Sequence, residues 1–325
     1  MRLRILTVTT VSALALTMTA CGPGGGGGDA ADYPSRDIEM LVGFGAGGLN
    51  DATARRFAAS LEEELGENVL VVNRPGGGGV LASTEGANAA PDGYTLLFAP
   101  TGAFTSGMLQ QQVSYDFSDF RSIQPVAENG FLIAVPADSP FRTLADLENA
   151  EGRLTYSNFG IGHPTHLVGA AIAERSGIDA EAISYDSSPD GLQAIVNGAV
   201  DFGVQDVNST VLARLESGEL RPLAISSQER LPALPDAPTV VEEGFENATF
   251  TGSQALAVPA ETPEEIVGIL EEAASAAVED PEFTEFLESN AQTVPDVDGA
   301  AWFEEHLPAE RDRFEEMYER LGIGE

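Results

Sequence analysis

The stretch VGFGAGG, residues 42–48, joins an apolar run to a helical pattern. The run before it is Ile38–Val42, and after it apolar side chains recur at three- and four-residue intervals from Ala54 to Leu65. The stretch therefore predicts a glycine-rich turn between a strand and a helix. Its glycines also spell G-x-G-x-x-G, the pattern with which many proteins hold the pyrophosphate of a dinucleotide.

The residues that follow argue against a nicotinamide cofactor. A dinucleotide-binding fold carries an acid at the end of its second strand, where it binds the ribose hydroxyls. Here the second predicted strand, residues 69–72, ends in Asn73 and Arg74, and Arg74 alone would suit a 2′-phosphate. The turn needs no nucleotide, because the N–H groups and the macrodipole of a helix start favour any anion, a carboxylate included. Glycines that serve only tight packing are the alternative, and Asp51 is expected to cap the helix or fix the loop.

The first residues indicate export. Residues 1–20 combine a basic start, an apolar segment too short to span a bilayer and small residues before Cys21, which predicts a signal peptide. Residues 18–21 resemble the lipobox of bacterial lipoproteins, so we expect Cys21 to be lipidated after cleavage. The alternative is a free thiol, because Cys21 is the only cysteine. Residues 21–32, with a run of glycines, predict a flexible tether between the lipid and an extracytoplasmic domain.

The charge of the chain excludes one class of partner. The sequence has 52 acidic residues against 16 basic ones, all of them Arg, for a net charge of −36. Binding to a phosphate backbone needs the opposite sign, so we expect no nucleic-acid partner. The acids are spread along predicted helices, which indicates a solvated surface and says nothing about a site.

Strand-like and helix-like segments alternate from residue 33 onward, which predicts an α/β fold with doubly wound parallel sheets. The alternation forms two series and returns to the first at the end, so we expect two lobes joined by two crossings. Lobe 1 is predicted to hold residues 33–131 and 252–325, and lobe 2 residues 132–251. Ligands of open α/β sheets bind beyond the carboxyl ends of the strands, which places a cleft between the lobes. The predicted strands are 38–42, 69–72, 94–98, 131–135, 154–157, 182–185, 200–204, 223–226 and 254–258. The first predicted helix follows the glycine turn and ends near Leu65. The other predicted helices are 82–90, 165–176, 190–197, 209–215, 263–278, 281–287 and 300–321.

A second glycine loop lies in residues 156–166, YSNFGIGHPTH, again between a predicted strand and a helix start. Small hydroxyl and amide side chains flank its glycines. Two such loops facing each other could bind a molecule with a carboxylate at each end. Because the chain lacks Lys, we expect backbone N–H groups of Gly47, Gly48 and residues 160–162 to hold those carboxylates.

Sequence motifs follow one another in a specific order at residues 44–51, 72–76, 90–97, 160–162, 165–167, 234–239 and 257–260. In these motifs the chain resembles the Bug-type substrate-binding proteins of tripartite tricarboxylate transporters, and the resemblance covers nearly all of residues 33–325. The resemblance implies a periplasmic-binding-protein type II fold that closes on a small carboxylate and delivers it to membrane permease subunits. The implied ligand is a dicarboxylate, a citrate-like tricarboxylate or an aromatic acid. The resemblance implies no catalysis, cofactor or metal, and we expect a monomer.

The resemblance also implies a set of ligand-binding residues on four segments of the chain. The departures from the family are Gly43 and Ala46 where Pro is frequent, His163-Pro164 where Thr-Thr is frequent, and Asp186-Ser187 where many members carry Lys-Gly. The last change puts an anion near the expected cleft and argues against a highly charged tricarboxylate. The implied ligand-binding residues are Phe44, Ala46, Gly47, Gly48, Asp51, Thr101, Gly102, Asn158, Gly160, Gly162, Thr165, His166 and Tyr185.

Two other functional classes are an enzyme and a binding protein that serves a sensor. An enzyme needs a nucleophile, a base or a metal set, and the sequence has neither a G-x-S-x-G elbow nor a cysteine beyond Cys21. His163 and His166 have a spacing compatible with zinc but no third ligand at a recognisable distance. A binding protein that feeds a sensor kinase stays open, because its ligand-binding lobes would look the same. The single Trp302 is predicted to lie in the core or at an interface.

Overall fold

The computed structural model describes residues 32–185, 188–297, 299 and 301–323. The predicted signal peptide, the lipidation site Cys21 and nearly all of the tether lie outside the described residues, as do Asp186 and Ser187. In the described ranges, no helix has both the length and the apolar composition that a membrane crossing requires.

The described chain alternates between strands and helices, as the sequence predicts. Most elements begin and end within two or three residues of their predicted bounds. The strands are β1 Ile38–Val42, β2 Val69–Asn73, β3 Thr95–Pro100, β4 Phe120–Pro136, β5 Leu154–Asn158, β6 Ala180–Ser184, β7 Phe202–Asp206, β8 Leu220–Ile225, β9 Thr251–Pro259 and β10 Gln292–Thr293. The helices are α1 Leu49–Leu65, α2 Val80–Ala87, α3 Thr101–Phe104, α4 Ser106–Gln110, α5 Leu144–Leu147, α6 Pro164–Ser176, α7 Ser188–Val196, α8 Ser209–Glu216, α9 Glu264–Glu279, α10 Pro281–Ser289 and α11 Leu307–Leu321, with a π-helical turn Trp302–His306 before α11.

The sheet is mixed, which corrects the expectation of parallel sheets. Its strand order is β2-β1-β3-β9-β4-β7-β5-β6, and β8 and β10 also pair with β4. The pairs of β1 with β2 and β3, and of β5 with β6 and β7, are parallel. Strands β4 and β9 run antiparallel to their neighbours at the centre. The α/β alternation cannot reveal this, because the order of strands within a sheet depends on contacts between distant segments.

Strand β4 passes from one half of the sheet to the other. Its residues 120–130 pair with β9, and its residues 131–136 pair with β7 and β8. The first crossing therefore lies inside one continuous strand. The sequence predicts only the second half of this strand, because the polar residues Glu128 and Asn129 and then Gly130 interrupt the apolar pattern.

Both faces of the sheet are covered, and several strands contribute side chains to a core on each face. In β1, Met40 and Val42 pack against α1 and α9, whereas Leu41 packs on the opposite face with Phe104 and Trp302. This alternation follows from the two-residue period of a strand. In the second half of the sheet, alternate residues of β4 likewise pack into two different clusters.

The last helix contacts both halves of the molecule. Trp302 is fully buried, as the sequence predicts, and Leu307 packs beside it in a core of the first half. Phe314, Met317 and Tyr318 pack into a core of the second half. The lobe bounds inferred from the sequence stay a prediction, and this packing favours giving the end of α11 to the second lobe.

Candidate functional site

The first glycine loop requires glycine at two positions, Gly43 and Gly47. A Cβ atom on Gly43 would lie only 2.5 Å from the Cα atom of Gly79, so no larger residue fits there without movement of backbone. Gly47 has a φ of +87°, a conformation that L side chains rarely adopt. The loop between β1 and α1 is therefore built from glycine for its shape. Ala46 in this loop is exposed.

Asp51 holds this loop from inside the first turn of α1. Its Oδ2 atom accepts a hydrogen bond of 2.8 Å from the N–H of Gly47 and one of 3.1 Å from Arg55. Its Oδ1 atom accepts from the amide of Asn73 at 2.8 Å, and the same amide donates to the carbonyl of Phe44 at 2.9 Å. Asp51 is only 3% exposed, so its role in the loop is the fixing role expected from the sequence.

The charge of Asp51 is neutralised within the chain. Burial alone would raise the pKa of Asp51, but hydrogen bonds from Arg55, Gly47 and Asn73 outweigh it and hold the pKa below its usual value. An Arg55 guanidinium nitrogen also lies 3.0 Å from the second carboxylate oxygen. An anion at the start of α1 therefore meets a paired carboxylate.

The start of α1 carries no cap in the described structure. The N-cap is Gly48, with extended backbone angles and no side chain that could accept a hydrogen bond. The N–H groups of the next three residues have no partner within the helix, because α-helical bonding starts one turn further on. Together with the helix macrodipole they form an anion-binding position.

The glycine segment 76–79, which follows β2, lies against both the first glycine loop and the residues at the end of β3. Gly79 packs against Pro100, and an added Cβ on Gly102 would lie 3.8 Å from the carbonyl of Gly78. The hydroxyl of Thr101 lies 2.9 Å from the Ser253 carbonyl and 2.8 Å from its hydroxyl. Thr101 is 3% exposed, so it joins β3 to β9, and Gly102 is the more accessible of the two predicted residues.

The second glycine loop is held by Asn158 at the end of β5. The side-chain oxygen of Asn158 accepts from the N–H of Gly160 at 2.8 Å and from the hydroxyl of Ser184 at 3.1 Å. These two bonds orient the amide, whose nitrogen then has no partner among the described residues. The hydroxyl of Thr165 accepts from the N–H of Phe159 at 3.0 Å and closes the loop.

The two histidines of this loop bind the backbone. The Nδ1 atom of His163 accepts from the N–H of Thr165 at 3.2 Å and caps α6, whose first residue is Pro164. The Nδ1 atom of His166 accepts from the N–H of Gly162 at 3.0 Å. Burial lowers the pKa of His166, and burial together with the neighbouring His166 lowers the pKa of His163 to about 4, so both imidazoles are neutral near pH 7. No three potential metal ligands come together in the part of the chain that the structure describes.

These contacts correct the expected set of carboxylate-binding N–H groups. The N–H groups of Gly47, Gly160 and Gly162 donate to Asp51, Asn158 and His166 respectively. They fix the loops and are not available to a ligand. The start of α1 keeps its donors, whereas α6 is capped by its own histidine, so the two helix starts are not equivalent.

The last predicted residue, Tyr185, joins the second loop through its backbone. Its N–H donates to the carbonyl of Asn158 at 2.9 Å, and its ring is only partly buried against the apolar cluster of Leu192 and Ile195. The structure thus brings the predicted residues together in two groups, one at the ends of β1 and β3 and the other at the ends of β5 and β6.

A polar group at the end of β7, not predicted from the sequence, consists of Gln205 and Asp206. Burial raises the pKa of Asp206 to about 6, and a hydrogen bond of 3.4 Å from Asn129 opposes this rise. Gln205 is fully buried and donates to the Ser157 hydroxyl at 3.3 Å. The only signal for these residues in the sequence is a Gln-Asp pair at the end of an apolar strand, which is a weak one.

One family and several solved structures match this chain. Residues 53–301 match the family described as Tripartite tricarboxylate transporter family receptor. The protein BugT of Bordetella pertussis is 31% identical over 248 residues, which cover 74% of this chain and 76% of BugT.

Two structures from Rhodopseudomonas palustris share the fold. One, solved with adipate, is 28% identical with a TM-score of 0.78, over 90% of this chain and 99% of that one. The other, MatC with bound malate, is 26% identical with a TM-score of 0.74, over 88% of this chain and 99% of MatC. The two-lobed periplasmic-binding-protein fold predicted from the sequence is confirmed.

Proposed function

Because the chain belongs to the tripartite tricarboxylate transporter receptor family, we propose that it captures a small dicarboxylate between its two lobes. The family is one of extracytoplasmic solute-binding proteins. The proteins solved with malate and with adipate each hold an acid with two carboxylates. A dicarboxylate also suits a site with two unequal ends.

The observation that carries the proposal is the uncapped start of α1. Three N–H groups and the positive end of the macrodipole lie there without a side-chain partner, and they favour a carboxylate. Asp51 does not oppose it, because Arg55 and Asn73 bind its two oxygens. We assign the first carboxylate of the ligand to this position.

The second carboxylate is assigned to the end of β5. The amide nitrogen of Asn158 is fully buried and lacks a partner among the described residues, which is costly unless a ligand accepts its hydrogen bond. Ser184 holds the same amide in place. Neutral amide and hydroxyl groups of this kind recognise a carboxylate without a cationic side chain.

The expected affinity follows from the number of such contacts. Micromolar binding corresponds to about 8 kcal/mol. Hydrogen bonds to a charged group contribute roughly 1.5–3 kcal/mol each, so four or five suffice after the cost of ordering the ligand and closing the lobes.

The remaining parts of the proposal concern location and partners. We place the protein outside the cytoplasmic membrane as a monomer, anchored by a lipid on Cys21, and we propose that it delivers its ligand to membrane permease subunits. The ligand leaves chemically unchanged, because the family is one of receptors and the site needs no catalytic group. Mass spectrometry of the membrane-extracted protein tests the anchor: a lipid-modified Cys21 is expected, and an intact Met1 contradicts it.

The binding proposal is tested by calorimetry with a series of mono-, di- and tricarboxylates. Dicarboxylates are expected to bind most tightly, and their affinity should hold steady as salt rises to about 0.15 M, because backbone donors rather than an exposed ion pair hold them. Arg74→Gln is the matched control for a side-chain ion pair: Arg74 already pairs with Glu85 at 2.8 Å, so its loss should change affinity little. Steep weakening in salt, together with loss of binding in Arg74→Gln, would overturn the assignment.

A further inference from the structure

A cavity of about 650 Å³ lies at the crossing between the two halves of the sheet. Strand β4 contributes Glu128 and Gly130, and the start of β9 contributes Thr251. The π-helical turn and α11 contribute His306 and Glu310. Its volume falls in the range of ordinary ligand pockets.

This cavity is separate from the cleft described above. Successive side chains of a strand point to opposite faces of the sheet. The side chain of Asn129 donates to Asp206 at the end of β7, so the side chain of its neighbour Glu128 points to the other face. The cavity thus lies behind the crossing strands, and the dicarboxylate site lies in front of them.

Glu310 supplies an unpartnered buried group in this cavity. It is 7% exposed, and its Oε2 atom has no hydrogen-bond partner among the described residues. The Nε2 atom of His306, 3.6 Å away, also lacks one. Buried polar atoms are nearly always paired, so two adjacent orphans indicate a missing partner.

The carboxyl groups of the cavity outnumber its available cations. Among the described residues, Glu128 accepts one hydrogen bond, of 3.2 Å, from the hydroxyl of Thr251. The guanidinium of Arg313 donates to the carbonyl of Thr249 and lies 5.3 Å from the centre of the Phe250 ring, and its positive charge only partly offsets the effect of burial on the pKa of Glu310. The other arginine, Arg230, pairs with Glu242 at 2.8 Å. A positively charged occupant would therefore meet two carboxyl groups that form no ion pair with an arginine in the described part of the chain.

A metal ion does not fit this arrangement. No three His, Cys, Asp or Glu side chains of the described chain are close enough to bind one ion. An ammonium group needs no such set of three ligands, because each of its N–H groups donates to a single acceptor. An ammonium group on a short carbon chain therefore fits a cavity that offers the carboxyl groups of Glu128 and Glu310.

We propose that the cavity behind the crossing strands is a second binding site, which takes a small organic amine held between Glu310 and Glu128. Residues from both halves of the sheet line it, so an occupant would contact both sides of the crossing. Burial raises the pKa of Glu310 to about 8 and raises the pKa of Glu128. Binding of a cation would favour their charged forms, and protons would leave as the amine enters. His306, whose pKa is lowered by burial, stays neutral and accepts a hydrogen bond from the amine.

The test is calorimetric titration of the ligand-free protein with putrescine near pH 7 and about 0.15 M salt, where diffuse attraction is screened. Buffers with different ionisation enthalpies report the protons released. We expect one saturable site with proton release. Glu310→Gln should weaken it at least about tenfold and reduce the release. Glu128→Gln is a second variant that serves if the first one fails to fold.

Glu316→Gln is the matched control, because Glu316 lies exposed on the same helix and does not line the cavity. It should leave both the affinity and the proton release unchanged. An equal loss in all three variants would show that putrescine binds the acidic surface, and no saturable binding would show that the cavity holds only water. Either result overturns the proposal, and neither bears on the dicarboxylate site.

Discussion

The side-chain amide of Gln110 donates a hydrogen bond of 2.6 Å to the hydroxyl of Tyr318, which stands 208 residues later in the chain. Tyr318 in turn donates to the carbonyl of Gly162 at 2.7 Å, and the same amide lies 3.1 Å from the carbonyl of Ile161. Helix α4, the second glycine loop and α11 therefore meet at one point. This contact connects the two groups of candidate ligand-binding residues.

Gln110→Ala should weaken dicarboxylate binding by about fivefold. The variant removes the hydrogen bonds of the Gln110 amide to Ile161 and Tyr318, which we expect to support the closed form of the lobes, and a net loss of about 1 kcal/mol corresponds to this factor. Calorimetry measures the affinity, and X-ray scattering measures the compaction on adding ligand. Gln112→Ala is the control, since Gln112 is an exposed neighbour of the same residue type. Equal affinities of both variants would show that closure does not depend on this contact.

Gly48→Ser should stabilise the protein and weaken dicarboxylate binding at the same time. Gly48 has extended backbone angles and room for a side chain, so Ser can cap α1 and add roughly a few tenths of a kcal/mol of stability. Its hydroxyl would occupy N–H groups that we assign to the ligand. Urea unfolding and calorimetry measure the two effects, and Gly48→Ala, which adds a Cβ without an acceptor, separates capping from crowding. A variant that is more stable and binds as tightly as the parent would remove the helix start from the site.

Asp51→Asn should destabilise the protein by roughly 1–3 kcal/mol at neutral pH, because buried hydrogen bonds to a charged group are lost. The pKa of Asp51 is held below its usual value of 3.8 by the Arg55, Gly47 and Asn73 hydrogen bonds, which outweigh burial. Its contribution is therefore present above about pH 4 and is lost as the pH falls further. Urea unfolding across this pH range should show that the difference in free energy of unfolding between parent and variant becomes smaller in acid. Glu63→Gln, an exposed change on the same helix, should leave the free energy of unfolding close to that of the parent at each pH.

Asp206→Asn should flatten the pH dependence of dicarboxylate binding. Burial raises the pKa of Asp206 to about 6, so its charge appears as the pH rises from 5 to 7 and repels an anionic ligand. We expect the parent to lose affinity over that range, by an amount of order tenfold for a charge near the ligand. Calorimetry at both pH values measures the loss. Asp236→Asn, an exposed change, should keep the parental profile, and a parental profile in Asp206→Asn would place this carboxyl away from the ligand.

Glu310→Gln should change how stability depends on pH. Burial raises the pKa of Glu310 from 4.5 to about 8, so the folded state holds a proton there that the unfolded state releases. Between those two pH values this group makes the parent less stable as the pH rises, by an amount on the order of a few kcal/mol in total. The stability of the variant relative to the parent should therefore increase from pH 5 to pH 8. Urea unfolding measures the difference, and a constant difference would show that Glu310 titrates normally.

Local signals in the sequence were sufficient to locate the first and second glycine loops. Glycines at a strand–helix junction predict where the backbone turns, because a φ of +87° at Gly47 or +76° at Gly162 is open to few other residues. The place of Asp51 in the first helical turn predicted that it caps the helix or fixes the loop, and the structure has it fixing the loop. The apolar face of the last helix predicted Trp302 in the core or at an interface, and the structure has it in the core.

The sequence did not reveal which donors remain available. Nothing in the sequence distinguishes Gly48 from the glycines at 47, 160 and 162. In the structure, the N–H groups of those three glycines donate to Asp51, Asn158 and His166 respectively. The competition between a ligand and a side chain for one N–H depends on rotamers and on a distance of a few ångströms.

The sequence by itself determined the alternation of elements, the positions of the glycine turns and the family to which the chain belongs. Those features depend on residues near each other in the chain, where period and backbone conformation act directly. Only the tertiary structure decided the central antiparallel strands β4 and β9, the pairing of Gln110 with Tyr318 and the cavity at Glu128 and Glu310. These features join segments far apart in sequence, and the side chains that meet there are selected by packing of the whole molecule, which no local pattern records.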